Sequence, residues 1–443
     1  MRFAICMPTR IAILILSCLY PLLQGCNIIG TQRPDIVPEL AEWLPTEQLT
    51  SSSDASRLQF NWGWAIAVDG VGTIHQAWLE IFSEPDPNEP AGVCGQVYYR
   101  GSVDDGKLWS PPVPLNEPKC VTGHPKIAAH GNHVYVVWHQ LLSDNTILGI
   151  QLVHSGDRGL NWDPAIIVSD NPPGISTAWP SVNAWGDSVH VVWGDSRSGS
   201  AEIHLRSSTD GGRTWNPVQM VSKPDGISSW TPSIASWGAV VHVVWTDERH
   251  NTDAAGEPFD CASVGAGESC REEEYYRRSL DFGLTWEEEI RLTVDPAEAL
   301  ASSWAPSIAV WENDVHVAFF DRRTGEFEIY YKRSREGGSA GSWEDAVRLS
   351  EDVSIQHARP SIAVNDKDVH IVYWGQSPHS SNIYYLSSPD GGDHFQPPIL
   401  LSSTGPSEVP HPSVAVSTGG SVHVLWYAKD MLGLDQIFYR RKP

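Results

Sequence analysis

The sequence predicts an all-β fold: a β-propeller of seven four-stranded antiparallel blades, closed by an N-terminal strand. Three observations predict it. A turn-rich stretch recurs six times: SVDDGKLW (102–109), SGDRGLNW (155–162), SSTDGGRTWNP (207–217), SLDFGLTW (279–286), SREGGSAGSW (334–343) and SPDGGDHF (388–395). Each copy follows a PSIAV-like, a VHVVW-like and an IYYRRS-like run and precedes a PVQMVS-like run, all β-branched, aromatic or alternating and separated by turns. The second run carries a marker at His75, Tyr135, His190, His242, His316, His370 and His423, with steps of 60, 55, 52, 74, 54 and 53 residues. Four strands per fifty-odd residues, seven times over, is the pattern of propeller blades.

Before the first blade stand Arg2, Arg10 and the apolar run IAILILSCLYPLL (11–23), too short and too Pro-broken to span a bilayer, so residues 1–25 read as a secretory signal. The stretch LQGC (23–26) resembles a bacterial lipobox, which implies that Cys26 is lipidated and that acyl chains anchor the body. Asn27 rather than Asp follows it, favouring the outer membrane or cell surface. Residues 26–45 then form a linker and 46–443 the propeller. Unit seven ends at Pro443 after three strands, and TEQLTSS (46–52) is its expected fourth, a splice that leaves no open sheet edge. The long step holds an insertion around residues 250–272.

The chain carries a formal charge of −24, and loss of Arg2 and Arg10 with the signal takes the mature body to −26. Such a body excludes nucleic-acid binding by counterion release and repels bulk polyanions. Four cysteines remain besides Cys26, namely Cys94, Cys120, Cys261 and Cys270. An even number in an exported chain favours two disulfides, and Cys261–Cys270 would close a short loop. No metal-thiolate spacing or cofactor motif is present; SEPDPNEP (83–90) could hold a structural calcium but reads as a solvated loop.

The recurring turn reads S-x-D-x-G-x-T-W, filled completely by Ser208, Asp210, Gly212, Thr214 and Trp215, with its aspartates at Asp104, Asp157, Asp210, Asp281 and Asp390. It resembles the Asp box, or BNR repeat, of the sialidase-like propellers over most of 46–443. Six blades, the usual number in that family, is the alternative count. The carboxylate and hydroxyl can bond turn amides, and the glycine supplies a backbone that a Cβ hinders, so these boxes are structural. Glu336 and Phe395 depart from the pattern in the fifth and sixth copies. The strand-two histidines likewise read as packing and bonding between blades.

The resemblance places function on the face opposite the boxes, where strand two ends and strands one and three begin. After strand two, WGDSR, WTDER and FFDRR place Asp195/Arg197, Asp247/Arg249 and Asp321/Arg323 at equivalent positions. At the start of strand one, near the axial channel, stand His124, Trp179, Trp230, Trp304, Arg359 and His411; at the start of strand three, Glu202, Glu274 and Glu328. The Asp-x-Arg pairs can be scaffold or catalytic, and the tryptophans can plug the channel or stack on sugars. Arg359, His124 and His411 break the repeat, which marks them as candidate site residues. The sialidase arginine of the F/Y-R-I-P segment has no counterpart in FNWGWAIAV (60–68), and the family's tyrosine nucleophile has only Tyr427 as a positional candidate.

Three functions follow as expectations: a surface-anchored monomer that recognises glycans, a glycan-cleaving enzyme, or a non-catalytic protein-docking propeller. A hydrolase would draw its carboxyl groups from Asp195, Asp247, Asp321, Glu202 or Glu328. A lyase would use His124 or His411 with Arg197 or Arg359.

Overall fold

The computed structural model describes residues 42–50, 64–82, 94–117, 119–120, 122–141, 147–170, 172, 175, 177–251, 271–293, 302–350, 355–377, 379–404, 411–431 and 433–443. The signal, Cys26, the loop 83–90, Cys261, Cys270 and most of the insertion lie outside them.

Seven antiparallel sheets follow one another around the ring. Blade 3 shows the plan: Thr177–Trp185, Ser188–Asp195, Glu202–Ser208 and the short Gln219–Met220 pair in sequence order. Blades 4, 5 and 6 repeat it from Ser229–Trp237, Ser303–Trp311 and Gln356–Asn365. Blade 1 adds Lys119–Cys120 beside its third strand, in a register that sets Cys120 opposite Cys94. Blade 7 takes Ser413–Val416, Val422–Lys429 and Asp435–Lys442, and its fourth strand is Glu47–Gln48, paired to Tyr439 and Phe438. The closing splice therefore falls within the segment the sequence nominates.

Alternation within each strand sends side chains to both neighbouring blades. Val189, Val191 and Trp193 pack toward blade 2, whereas Val192 packs toward blade 4. Among the described residues one apolar cluster occupies every junction between adjacent blades, including that of blade 7 with blade 1. The core is thus a ring of interfaces.

The recurring turn is built as its residues require. Ser208 Oγ donates to Asp210 Oδ1 (2.8 Å), the Gly212 N–H donates to Ser208 Oγ (3.0 Å), and the amide and hydroxyl of Thr214 donate to the two Asp210 oxygens (2.9 and 2.6 Å). Those bonds, the Thr214 hydroxyl foremost, hold the Asp210 carboxyl down at about 2. In the fifth copy the Gly338–Ser334 bond survives, but Ser342 takes the place of the carboxylate partner.

The strand-two histidines hydrogen-bond mainly within a blade, which narrows the expected bonding between blades to His423, whose Nε2 stands 3.5 Å from Asp105 of blade 1. His242 Nδ1 meets the Tyr276 hydroxyl (2.7 Å), and His75, His316, His370 and His423 meet Tyr99, Tyr331, Tyr385 and Tyr439 in the same way. The tyrosine is what crosses to the next blade. Tyr99 lies edge-on to Trp162 of the blade 2 turn at 4.7 Å, Tyr439 to Trp109 of blade 1 at 5.2 Å and Tyr276 to Trp343 of blade 5 at 4.8 Å. Blade 7 has no such turn, and Trp43 fills the place, edge-on to Tyr385 at 4.9 Å.

This contact explains the turn glycine. Gly159 has φ +83°, and a Cβ there would stand 2.0 Å from the Tyr99 hydroxyl oxygen. Gly159→Ala should cost about 2 kcal/mol through backbone strain plus overpacking. Thermal unfolding should show a smaller cost in a Tyr99→Leu background; an equal cost in both would assign the effect to the backbone alone.

Candidate functional site

Strands one and three start on one face of the ring, called here the open face; the recurring turns lie on the other, the turn face. Near the start of strand one, five of the seven blades carry a residue–Pro–Ser or closely related tripeptide: WPS (179–181), TPS (231–233), APS (305–307), RPS (359–361) and HPS (411–413), with HPK (124–126) in blade 2. Proline cannot donate to a ladder and is accommodated at a bulge. Strand register shifts at this point in blades 2 to 6. The residue before proline is left-handed in four of them, with φ +50° at Trp179, +48° at Thr231, +48° at Ala305 and +55° at Arg359. For Thr231, a β-branched residue, that conformation is strained.

The bulges line the open end of the axial channel. A cavity of about 220 Å³ there is walled by Trp179, Thr231, Ala305, Arg359 and His411, by the prolines and serines that follow them, and by Lys126. A constant backbone thus presents an indole, a hydroxyl, a methyl, a guanidinium and an imidazole to one space. Among the described lining residues there is no carboxyl group. Burial lowers the Arg359 guanidinium to about 10. Lys126 is exposed at the cavity yet closely surrounded by protein, and burial first, then Arg359, lowers its ammonium.

The structure separates the three tryptophans. Trp179 lines the cavity, but Trp230 and Trp304 stand one residue earlier, and Thr231 and Ala305 occupy the equivalent positions. Trp230 lies edge-on to Trp179 at 4.9 Å and donates its indole N–H to Glu248 (3.0 Å). Trp304 is 42% exposed and donates to Ser302 Oγ (2.8 Å). Trp179 and Trp230 thus form an indole ledge over blades 3 and 4, whereas Trp304 meets Phe320 of its own blade at 6.2 Å. His124 belongs to the first strand of blade 2, Thr122–His130, but its side chain lies outside the described set.

The Asp-x-Arg residues do not converge on the cavity. Asp195 accepts from the Trp193 indole, the Arg197 amide (2.8 Å) and the Arg197 guanidinium (2.6 Å); Arg197 also reaches the Ser169 carbonyl and Asp170. Burial pushes the Asp195 carboxyl up, but Arg197 outweighs it and the net direction is down. Arg249 is held by Asp247 (2.5 Å), Glu289 (2.8 Å) and Asp225 (3.3 Å) over the Tyr275 ring at 4.3 Å. Arg323 pairs with Asp321 over Tyr330 at 4.6 Å. Each pair pins the end of strand two, and in blades 3 and 4 it also grips the segment leading in from the preceding blade.

The strand-three acids need one change of register. Asp195 faces Glu202 and Asp321 faces Glu328, but Asp247 faces Glu273, so Glu273 rather than Glu274 is the equivalent residue. Each accepts from a hydroxyl after strand four: Ser222, Thr293 and Ser350 in turn. Burial raises Glu202 to about 7. Glu274, fully enclosed beside Thr246, is raised well above the usual range. Reading the residues alone missed Glu272, which Ser302 contacts and which burial also raises to about 7. None of these carboxyls lines the cavity.

No family model matches this chain, and no curated protein matches it either. Solved structures do. An ulvan lyase, described as a new polysaccharide lyase family, is similar at 10% identity with a TM-score of 0.53, covering 82% of this chain and 89% of the lyase. A protein of unknown function from Dyadobacter fermentans is similar at 14% identity with a TM-score of 0.51, covering 89% and 98%. An α-L-arabinanase from Penicillium chrysogenum, complexed with arabinobiose, has 12% identity and a TM-score of 0.49 over 90% and 98%. At these identities the likeness is one of fold.

Proposed function

We propose that this protein is a bacterial surface lipoprotein, anchored through Cys26, that recognises a glycan at the open end of its axial channel. The carrying observation is the asymmetry of the channel wall. Five bulges share a backbone design, yet the indole ledge of Trp179 and Trp230 stands on one side and the charged side chains on the other. An indole face with a few placed polar groups suits a sugar ring. That the ulvan lyase carries polysaccharide chemistry on a similar fold supports the reading by analogy only. Among the described lining residues no carboxyl group can serve a hydrolase as acid or base, whereas His411 and Arg359, named above for a lyase, both line the cavity, so a product screen decides between binding and cleavage.

Incubation of the purified protein with sialosides, neutral glycans and uronate polysaccharides, followed by mass spectrometry and equilibrium binding, tests this reading. Binding without products, lost in Trp179→Ala, is the expected result. Released sialic acid or unsaturated uronate would establish an enzyme instead.

Export also bears on the cysteines. Cys94 and Cys120 are direct partners across an antiparallel pair, where Cα atoms stand at a separation a disulfide spans. Peptide mapping of unreduced protein should recover them linked. Recovery of both as free thiols in protein isolated from the envelope would reject the pairing.

A further inference from the structure

The tyrosine that crosses from strand three to the next turn is missing between blades 2 and 3. Elsewhere its hydroxyl stands over the turn glycine: a Cβ on Gly106, Gly159, Gly338 or Gly392 would collide with the hydroxyl of Tyr439, Tyr99, Tyr276 or Tyr331. Blade 2 carries Leu152 at this place. A Cβ on Gly212, the glycine of the blade 3 turn, would meet only Tyr135 and Trp215, at ordinary distances of 3.6 and 3.7 Å. Trp215 has no tyrosine edge-on to it among the described residues, unlike Trp162, Trp109 and Trp343. A leucine does not by itself leave this room. Leu205 holds the same place in blade 3 and closes onto Gly283, where a Cβ would stand 2.9 Å from it.

A cavity of about 300 Å³ occupies the vacated place, with Leu152, Gly212, His154, Asp163, Ile166 and Arg213 in its wall. The imidazole of that wall is fixed: His154 bonds Asp163 and His133, both at 2.8 Å, and His133 reaches Asp187 at 3.3 Å. Tyr135 stacks on His154 at 4.8 Å, and its buried hydroxyl has no hydrogen-bond partner among the described residues. In five other blades the strand-two residue does have one, the hydroxyl of the crossing tyrosine. An unmatched buried hydroxyl costs free energy that an incoming hydroxyl recovers. Outside the mouth, Ile166 and Ile167 form the exposed edge strand of blade 2, and Leu160 projects from its turn, 82% exposed. An open edge with apolar side chains accepts an added polypeptide strand.

We propose that this cavity is a seat for a tyrosine side chain presented by a second polypeptide, its ring over Leu152 and its hydroxyl carried toward Gly212 and Tyr135. The other junctions show the same seat filled by the chain's own tyrosines, and the apolar rim suits a polypeptide rather than a free phenol. The seat lies on the turn face, away from the channel mouth, so the inference is independent of the glycan reading.

The test is calorimetric titration of the full chain in detergent with N-acetyl-tyrosinamide, N-acetyl-phenylalaninamide and p-cresol. Leu152→Tyr places the repeat's own residue in the seat. Leu152→Tyr combined with Tyr135→His rebuilds the whole pair of the other blades and serves where the single variant fails to fold. Thermal midpoints no lower than that of the unaltered chain show that a variant folds. The expected result is saturable binding of the tyrosine amide, about tenfold tighter than that of the phenylalanine amide. Tyr135→Phe should remove that preference, and the filled variants should bind neither amide. No saturable binding of the tyrosine amide, or binding that persists in the filled variants, overturns the seat. Equal binding of the two amides overturns the choice of tyrosine. Binding of p-cresol without the tyrosine amide overturns the polypeptide as occupant.

Discussion

The propeller is expected to lose stability as pH falls from about 6.5, most steeply between about pH 6 and pH 4. The cause is the set of strand-two histidines. Burial holds His190, His370 and His423 at about 4, against an ordinary 6.5, and His242 and His316 lower still, at about 3. An imidazole kept neutral in the fold binds its proton more readily in the unfolded chain, so stability is complete above 6.5 and is lost as pH falls toward 4. Each histidine removes about 2 kcal/mol by pH 4.5. Glu202 and Glu272 work in the opposite sense: raised to about 7, they favour the fold as pH falls from 7 to the ordinary 4.5. Glu274, raised further still, acts in the same sense, and these three carboxyls offset part of what five imidazoles remove, leaving a net loss of several kcal/mol. Thermal midpoints taken by tryptophan fluorescence across pH 7 to 4 should fall steeply below 6. A flat profile would show that these rings do not titrate on unfolding as their burial requires.

Loss of the closing residue should be the most damaging single truncation. Trp43 is 5% exposed and packs with Tyr385, Leu401, Val414 and Trp426 at the junction of blades 6 and 7. Leu44 is held to the last strand on both sides, its N–H donating to the Arg441 carbonyl (2.9 Å) and its carbonyl accepting from the Arg440 side-chain Nε (2.8 Å). Trp43→Ala should cost about 3 to 5 kcal/mol, the price of an unfilled cavity of indole size. Because it loosens the blade in which the two chain segments pair, hydrogen exchange in Asp435–Lys442 should rise before that of blades 3 to 5. Uniform exchange would mean that the ring fails as a unit.

The blade count was legible because the strand-two marker and the recurring turn are local patterns, repeated often enough to survive Tyr135, Glu336 and Phe395. The site was less legible, for a geometric reason. A bulge consumes one residue, so Trp230 and Trp304 look equivalent to Trp179 when tryptophans are aligned and fall one place short when Pro232 and Pro306 are aligned with Pro180. The proline was the better anchor because its missing N–H dictates where the ladder breaks. Glu273 was misplaced because Glu272, Glu273 and Glu274 run together without alternation, so nothing in the residues reveals the face. Lys126 was visible as HPK among the x-Pro-Ser tripeptides, a signal that only the channel made meaningful. Trp43 carries no motif at all; its role follows from the turn that blade 7 lacks.

The direction of Glu47–Gln48 has a further consequence. It runs antiparallel to Asp435–Lys442, so the chain arrives at blade 7 on the turn face, beside Trp43, and proceeds toward the open face. A segment leading into Glu47–Gln48 therefore enters on the face opposite the channel mouth, and neither Trp43 nor Leu44 is among the residues that line the channel cavity, so the splice that closes the ring leaves the mouth open to a long polysaccharide.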